Sequence, residues 1–110
     1  LAMTARMIDM SDWRLYLDQV SESLSDRRAE VRVVSPKLGN QVEAEGIRLL
    51  GIAYDPKDNV LEVALEGLDH LIHKPVELYV EEGPSGIESL SILDGEGNQH
   101  IVQLQRPVIL

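Results

Sequence analysis

The stretch "SDWRLYLDQVSESLS" carries the apolar side chains Trp13, Leu17, Val20 and Leu24 at spacings of four, three and four. That period places all four on one face and predicts an amphipathic helix over residues 11–25. Ser11 is positioned to cap the first free amides, Asp12 complements the positive end of the helix dipole, and Met10 is set to staple against Leu15. A helix this short is marginal alone in water, so the Trp13 stripe needs a surface to cover.

From Glu30 onward the apolar rhythm shortens to two, in β-branched segments separated by Gly, Pro, Asp and Asn. About six antiparallel strands are predicted by that rule: "EVRVVS", "QVEAEGIRLLGIAY", "NVLEVALE", "VELYVEE", "IESLSIL" and "QHIVQLQ". In "NVLEVALE" the residues Leu61, Val63 and Leu65 face one way, with Glu62 and Glu66 on the other side. The long second strand changes its apolar phase at Gly46 and again at Gly51, which predicts bulges or bends there. "DPKDN", "GPSG" and "DGEG" supply the turns, and turns this short imply a meander. The expected fold is therefore α+β in a single domain over residues 1–110. It has an N-terminal helix packed on a strongly bent meander of about six strands, whose limiting form is a small open barrel.

Composition narrows the functions more than the fold. Cysteine is absent, which removes disulfides, thiolate zinc sites and cysteine nucleophiles. Nineteen acidic residues against ten basic ones give a net charge of −9, and the Arg27, Arg28, Arg32 cluster is interleaved with Asp26 and Glu30. Such a field repels phosphate backbones, so no nucleic-acid partner is expected. No apolar run reaches the ~18 residues of a membrane span, and "LAMTARMIDM" lacks a signal-peptide core. A soluble cytoplasmic protein with no membrane partner is the expectation.

"EGLDHLIHKP" is the stretch that most resembles chemistry. As a strand it sends His70 and His73 to opposite faces, so a shared ion requires a helical turn. On a helical turn Leu68, Leu71 and Ile72 cluster inward, leaving Asp69, His70 and His73 together on the wet side. Two imidazoles and one carboxylate fall short of a zinc set, and His100 lies far along the chain. A solvated connecting turn ending near His73 is the simpler reading, with Asp69, His70 and His73 as the only metal candidates and no cofactor expected. Asp94, Glu96 and Asn98 imitate the start of a calcium loop, but Gln99 and Gln105 stand where it needs glycine and glutamate. The glutamates Glu43, Glu45, Glu62, Glu66, Glu77 and Glu81 read as the wet face of a sheet, and no serine elbow or phosphate loop occurs.

The central stretch from Leu49 through "YDPKDN", "DHLI" and "VEEG" to "SLSILDGEGNQHIVQL" resembles a bacterial family of small proteins known only as a domain of unknown function. The resemblance names relatives and implies no activity. A second likeness is to the Sm-type small barrel, whose RNA-binding loop has an aspartate four residues before an asparagine, as Asp55 and Asn59 are here. The Pro-Lys-Asp between them, the missing basic-glycine motif and the net acidity depart from that pattern. A noncatalytic interaction or regulatory module is therefore expected, partnered by another protein or by a second copy. The alternatives are a metal-dependent or carboxylate hydrolase using His70 and His73, and an Sm-like RNA-binding barrel. The apolar tail Val108, Ile109 and Leu110 is expected either to pad the barrel mouth or to join a symmetric dimer with a second copy.

Overall fold

Alternating β-branched segments translate into strands almost throughout the chain. The computed structural model describes residues 4–24, 26–84 and 86–105. In chain order it contains β1 (Thr4–Ile8), a 3-10 turn (Met10–Asp12), α1 (Trp13–Glu22), β2 (Arg28–Ser35), β3 (Gly39–Asp55) and β4 (Val60–Leu65). Then follow β5 (Leu68–His73), β6 (Pro75–Gly83), β7 (Gly86–Asp94) and β8 (Gln99–Gln105). All eight strands form one antiparallel sheet in the order β1-β6-β7-β8-β2-β3-β4-β5, with β1 and β5 at its open ends.

The six expected segments are all present, and β1 and β5 are the additions. The connectivity is two meanders instead of one. β2 to β5 form the first, β6 to β8 the second, and β8 joins them by pairing along β2, with Val31 opposite Val102. β5 and β6 are consecutive yet unpaired, because the single residue between them, Lys74, turns a corner with φ +54°. Its amide donates to the Asn59 carbonyl and its own carbonyl accepts from Gly95, so the corner is held on both sides.

β3 makes the bend. It carries register shifts at two places against β2 and one against β4, the last between Leu49 and Gly51. At each, β3 contributes the extra residue, so the strand coils away from its neighbours. Gly46, at φ +67°, occupies one of these sites, where a side chain would be strained. Both glycine phase changes in the sequence thus correspond to bulges.

Beyond Arg48, β3 has no further β2 to pair with, and α1 takes its place along that edge. Ser21 Oγ accepts from the Ile52 amide (2.9 Å) and donates to the Ile52 carbonyl (2.8 Å), substituting for a strand neighbour. The buried helical face is the expected one, Trp13, Leu17 and Val20, followed by Leu24 just past the helix end. Trp13 is 1% exposed, stacks edge-on against Tyr54 at 5.0 Å, and donates its indole N–H to the Ile8 carbonyl. The entry to the helix differs from expectation. Asp9 caps the 3-10 turn by accepting from the Ser11 amide and hydroxyl, so Ser11 is a donor there, and Met10 and Leu15 are both exposed instead of stapled together.

The bend carries the β3-β4-β5 end of the sheet over its other strands, enclosing one core that includes Leu61, Val63, Leu65, Ile72, Leu90, Ile92 and Val102. Among the described residues no helix is long and apolar enough to cross a membrane. Val108, Ile109 and Leu110 lie outside the described residues.

Candidate functional site

Residues 68–73 form a strand, not a helical turn. Gly67 at φ +80° closes a tight connection from β4, and β5 then pairs along β4 from Leu65↔Leu68 to Val60↔His73. On the inner face burial rises from exposed Leu68 through half-buried His70 to fully buried Ile72, while Leu71 on the outer face is exposed. Leu68, Leu71 and Ile72 resemble a helical face only in one dimension, because the ladder offered by β4 satisfies the backbone of an extended chain. His70 consequently points inward beside Val63 and Ile72, and Asp69, Leu71 and His73 point outward. His70 and His73 do not meet. Among the described residues no group of three or more His, Asp or Glu side chains is arranged to hold a metal ion.

What His70 meets is His100, from β8 across the interior. Their rings are joined by a hydrogen bond between His70 Nε2 and His100 Nδ1 (2.9 Å). His100 Nε2 lies 2.9 Å from Asp94 Oδ2. A carboxylate only accepts, so His100 Nε2–H donates to Asp94. In the neutral ring Nδ1 is then the acceptor, and His70 Nε2–H donates to it. The result is a carboxylate–imidazole–imidazole chain that latches the folded-over end of the sheet to its middle. His100 and Asp94 are buried, and their polar atoms satisfy one another.

Asp94 is therefore the organiser of its turn, not a calcium ligand. Its Oδ1 accepts from the amides of Glu96 (2.9 Å) and Asn98 (3.0 Å), and Oδ2 accepts from the Asn98 side chain as well as from His100. Burial acts to raise its pKa, but the donors from His100, Asn98 and Glu96 outweigh that and hold the carboxyl below its usual range. Burial pushes the His70 pKa down, the neighbouring His100 adds to the effect, and Glu43 partly offsets it. The ring thus resists taking up a proton. The sequence carried a usable signal for this cluster. In "QHIVQLQ", His100 alternates in phase with Val102 and Leu104, so it faces inward, and reading β5 as a strand turns His70 inward too.

The outer side of β5 is a different surface. Asp69 and His73 flank Leu71, which is 47% exposed. Leu71 and His73 join Ala53, Val60, Glu62, Asp55 and Asp58 around a shallow groove of about 300 Å³. The Lys74 amide bonds back toward β4 at Asn59, so by strand alternation the backbone groups of Ile72, His70 and Leu68 also face β4. Those of Asp69, Leu71 and His73 face the open edge, where they have no backbone partner among the described residues. Asp55 and Asn59, the pair that resembles an RNA-binding loop, serve their own hairpin. Asp55 accepts from the amides of Lys57 and Asp58, and Asn59 accepts from the Tyr54 hydroxyl.

Comparison with known proteins places these features in a family. An uncharacterized protein of Aquifex aeolicus (strain VF5) is 38% identical over 109 residues, covering 98% of both chains. No solved structure matches the chain. Residues 4–110, from the first strand to the C-terminus, match the family of unknown function DUF5335, and the chain belongs to that family.

Proposed function

We propose that this chain works without catalysis of its own, as a docking module that receives an extended segment of another polypeptide on the free edge of β5. The observation that carries this reading is the edge itself. Asp69, Leu71 and His73 present backbone groups that have no partner among the described residues, with a half-exposed leucine beside an apolar groove rimmed by acids. Strand addition takes its affinity from such backbone groups and its selectivity from the alternate side chains. A hydrolase built on His70 and His73 draws no support, since the two rings face opposite sides of one strand. His70, His100 and Asp94 act instead as the brace behind the edge, fixing β5 from its inner face.

The test is site-specific photocrosslinking in a cell that naturally makes the protein. A photoreactive residue replacing Leu71 is expected to trap a polypeptide partner. The same probe at Leu38, an exposed tip of the β2–β3 turn, is the comparison. If position 71 gives no adduct beyond that at position 38, the docking reading fails.

A further inference from the structure

The side chains along the β5 edge are complementary to themselves in an antiparallel pairing. With Leu71 at the centre, Asp69 stands two residues to one side and His73 two to the other. We infer that the strand received at this edge is β5 of a second copy of the chain, paired antiparallel about a two-fold axis through Leu71. The inference rests on the docking reading and names its occupant.

Three independent features agree on that register. The first is backbone phase. Asp69, Leu71 and His73 are the residues whose amides and carbonyls face outward, so Leu71 opposite Leu71 and Asp69 opposite His73 are the hydrogen-bonded positions, each pair exchanging two bonds. The second is face. A two-fold axis perpendicular to the sheet keeps outer side chains on the outer side, so the two leucines meet on the surface that also bears the apolar groove residues Ala53 and Val60. The third is charge. Each Asp69 carboxylate faces a His73 imidazole of the other copy, twice over. Moving the axis to His70 or Ile72 sets a charged or polar group against a leucine, and moving it to Asp69 sets carboxylate against carboxylate. Leu71 is the centre at which donor meets acceptor and apolar meets apolar.

The same features bound the strength. An edge contact of one six-residue strand falls at the small end of specific interfaces, and two copies each carrying −9 repel at long range. Dissociation on the order of tens of micromolar is expected. A long-lived obligate dimer is not.

The experiment is a complementation of charges read by sedimentation equilibrium on the full chain. Asp69→Arg sets a cation against His73, and His73→Glu sets an anion against Asp69. Each variant alone is expected to self-associate about tenfold more weakly than the native chain. An equimolar mixture of the two restores both pairings, Arg with Glu and His with Asp, and is expected to return to near-native association as a mixed dimer. Both positions are exposed, and recovery on mixing requires two folded partners, so misfolding cannot mimic the result. A native chain that stays monomeric to millimolar concentration overturns the inference, as do variants that associate like the native chain or a mixture that gains nothing. The crosslink at position 71 separates this failure from that of the docking reading. An adduct with a different protein removes the second copy and leaves docking intact, whereas no adduct removes both.

Discussion

The sheet has two ends, and they are finished differently. β1 is five residues long and carries a cation, Arg6, bound to Glu82 at 2.8 Å on β6 and lying over the Tyr16 ring of α1 at 5.4 Å. Its last residue is pinned by the Trp13 indole, and the chain turns directly into the helix that flanks it. β5 is six residues long, contains no Lys, Arg or Pro, and leaves Leu68 and Leu71 exposed. Short length, a fixed charge and an adjoining helix are the usual means of keeping a strand edge from pairing. β5 has the short length and, in Asp69, an exposed charge, but the adjoining helix and the ion-paired cation guard β1 alone. The difference marks β5 as the end at which pairing is tolerated.

The largest perturbation of that contrast is expected from Trp13→Ala. Removing a fully buried indole that also holds Ile8 should cost about 3–5 kcal/mol, read as a lower urea midpoint at unchanged slope. The β1 amides should then exchange faster than those of β5, turning the guarded end into the weaker one. A midpoint equal to the native one would contradict this packing. Asp94→Ala acts on the opposite end. It leaves the His100 N–H and the amides of Glu96 and Asn98 without their acceptor, at a cost of about 1–3 kcal/mol for groups left unsatisfied. Faster amide exchange in β5 and β8, with β1 unchanged, is the expected pattern; uniform loosening would deny the latch a local role.

Acidification perturbs the same latch more gently. His70 has a folded pKa below its unfolded value, so the unfolded chain binds the proton more readily and stability falls as the pH drops. His70's contribution is complete above the unfolded value near 6.5 and declines below it until the depressed folded pKa is reached. Asp94, also depressed, adds its own loss only as the medium becomes strongly acidic. Thermal melts from pH 7.5 to 5 should therefore descend, and His70→Gln should flatten the upper part of that descent. The smallest effect on stability is the sharpest test of the two ends. Leu71→Lys should shift unfolding by less than about 0.5 kcal/mol, because the side chain is half exposed, yet abolish self-association. Met7→Lys, the equivalent change on β1, should alter neither.

Much of this was legible in the amino-acid order. The helix stripe at Trp13, Leu17 and Val20, the six alternating strands and the bulges at Gly46 and Gly51 are local signals, and local periodicity carries them. β1 and β5 escaped because neither alternates cleanly. "TARMI" has a single buried position among the residues whose burial is described, and "LDHLIH" exposes two of its three aliphatic side chains. Both are edge strands, where half the usual pressure for burial is missing. The link between His70 and His100 is a matter of topology. No spacing within "DHLIH" announces a partner on β8, and only the folding over of the sheet brings the two rings together. The hidden clue lay in the assignment of secondary structure: reading the segment as a helical turn sent His70 to solvent and left it without a partner.

The seam between β8 and β2 has a consequence for the time course of folding. Each meander is built from near neighbours, and its turns close at little entropic expense. Val31 meets Val102 only after most of the chain has been brought round. Hairpins of this kind form on the order of microseconds, whereas domains dominated by distant strand pairing take about milliseconds to seconds. The two halves should therefore take shape early and separately, and the slow step should be their zipping along β2. Until that happens β2 and β8 each present an open margin, so a nascent chain is most exposed to wrong partners at the seam that ends up deepest in the finished sheet. Substitutions at Val31 or Val102 that slow refolding in proportion to their loss of stability would identify the seam as the kinetic bottleneck.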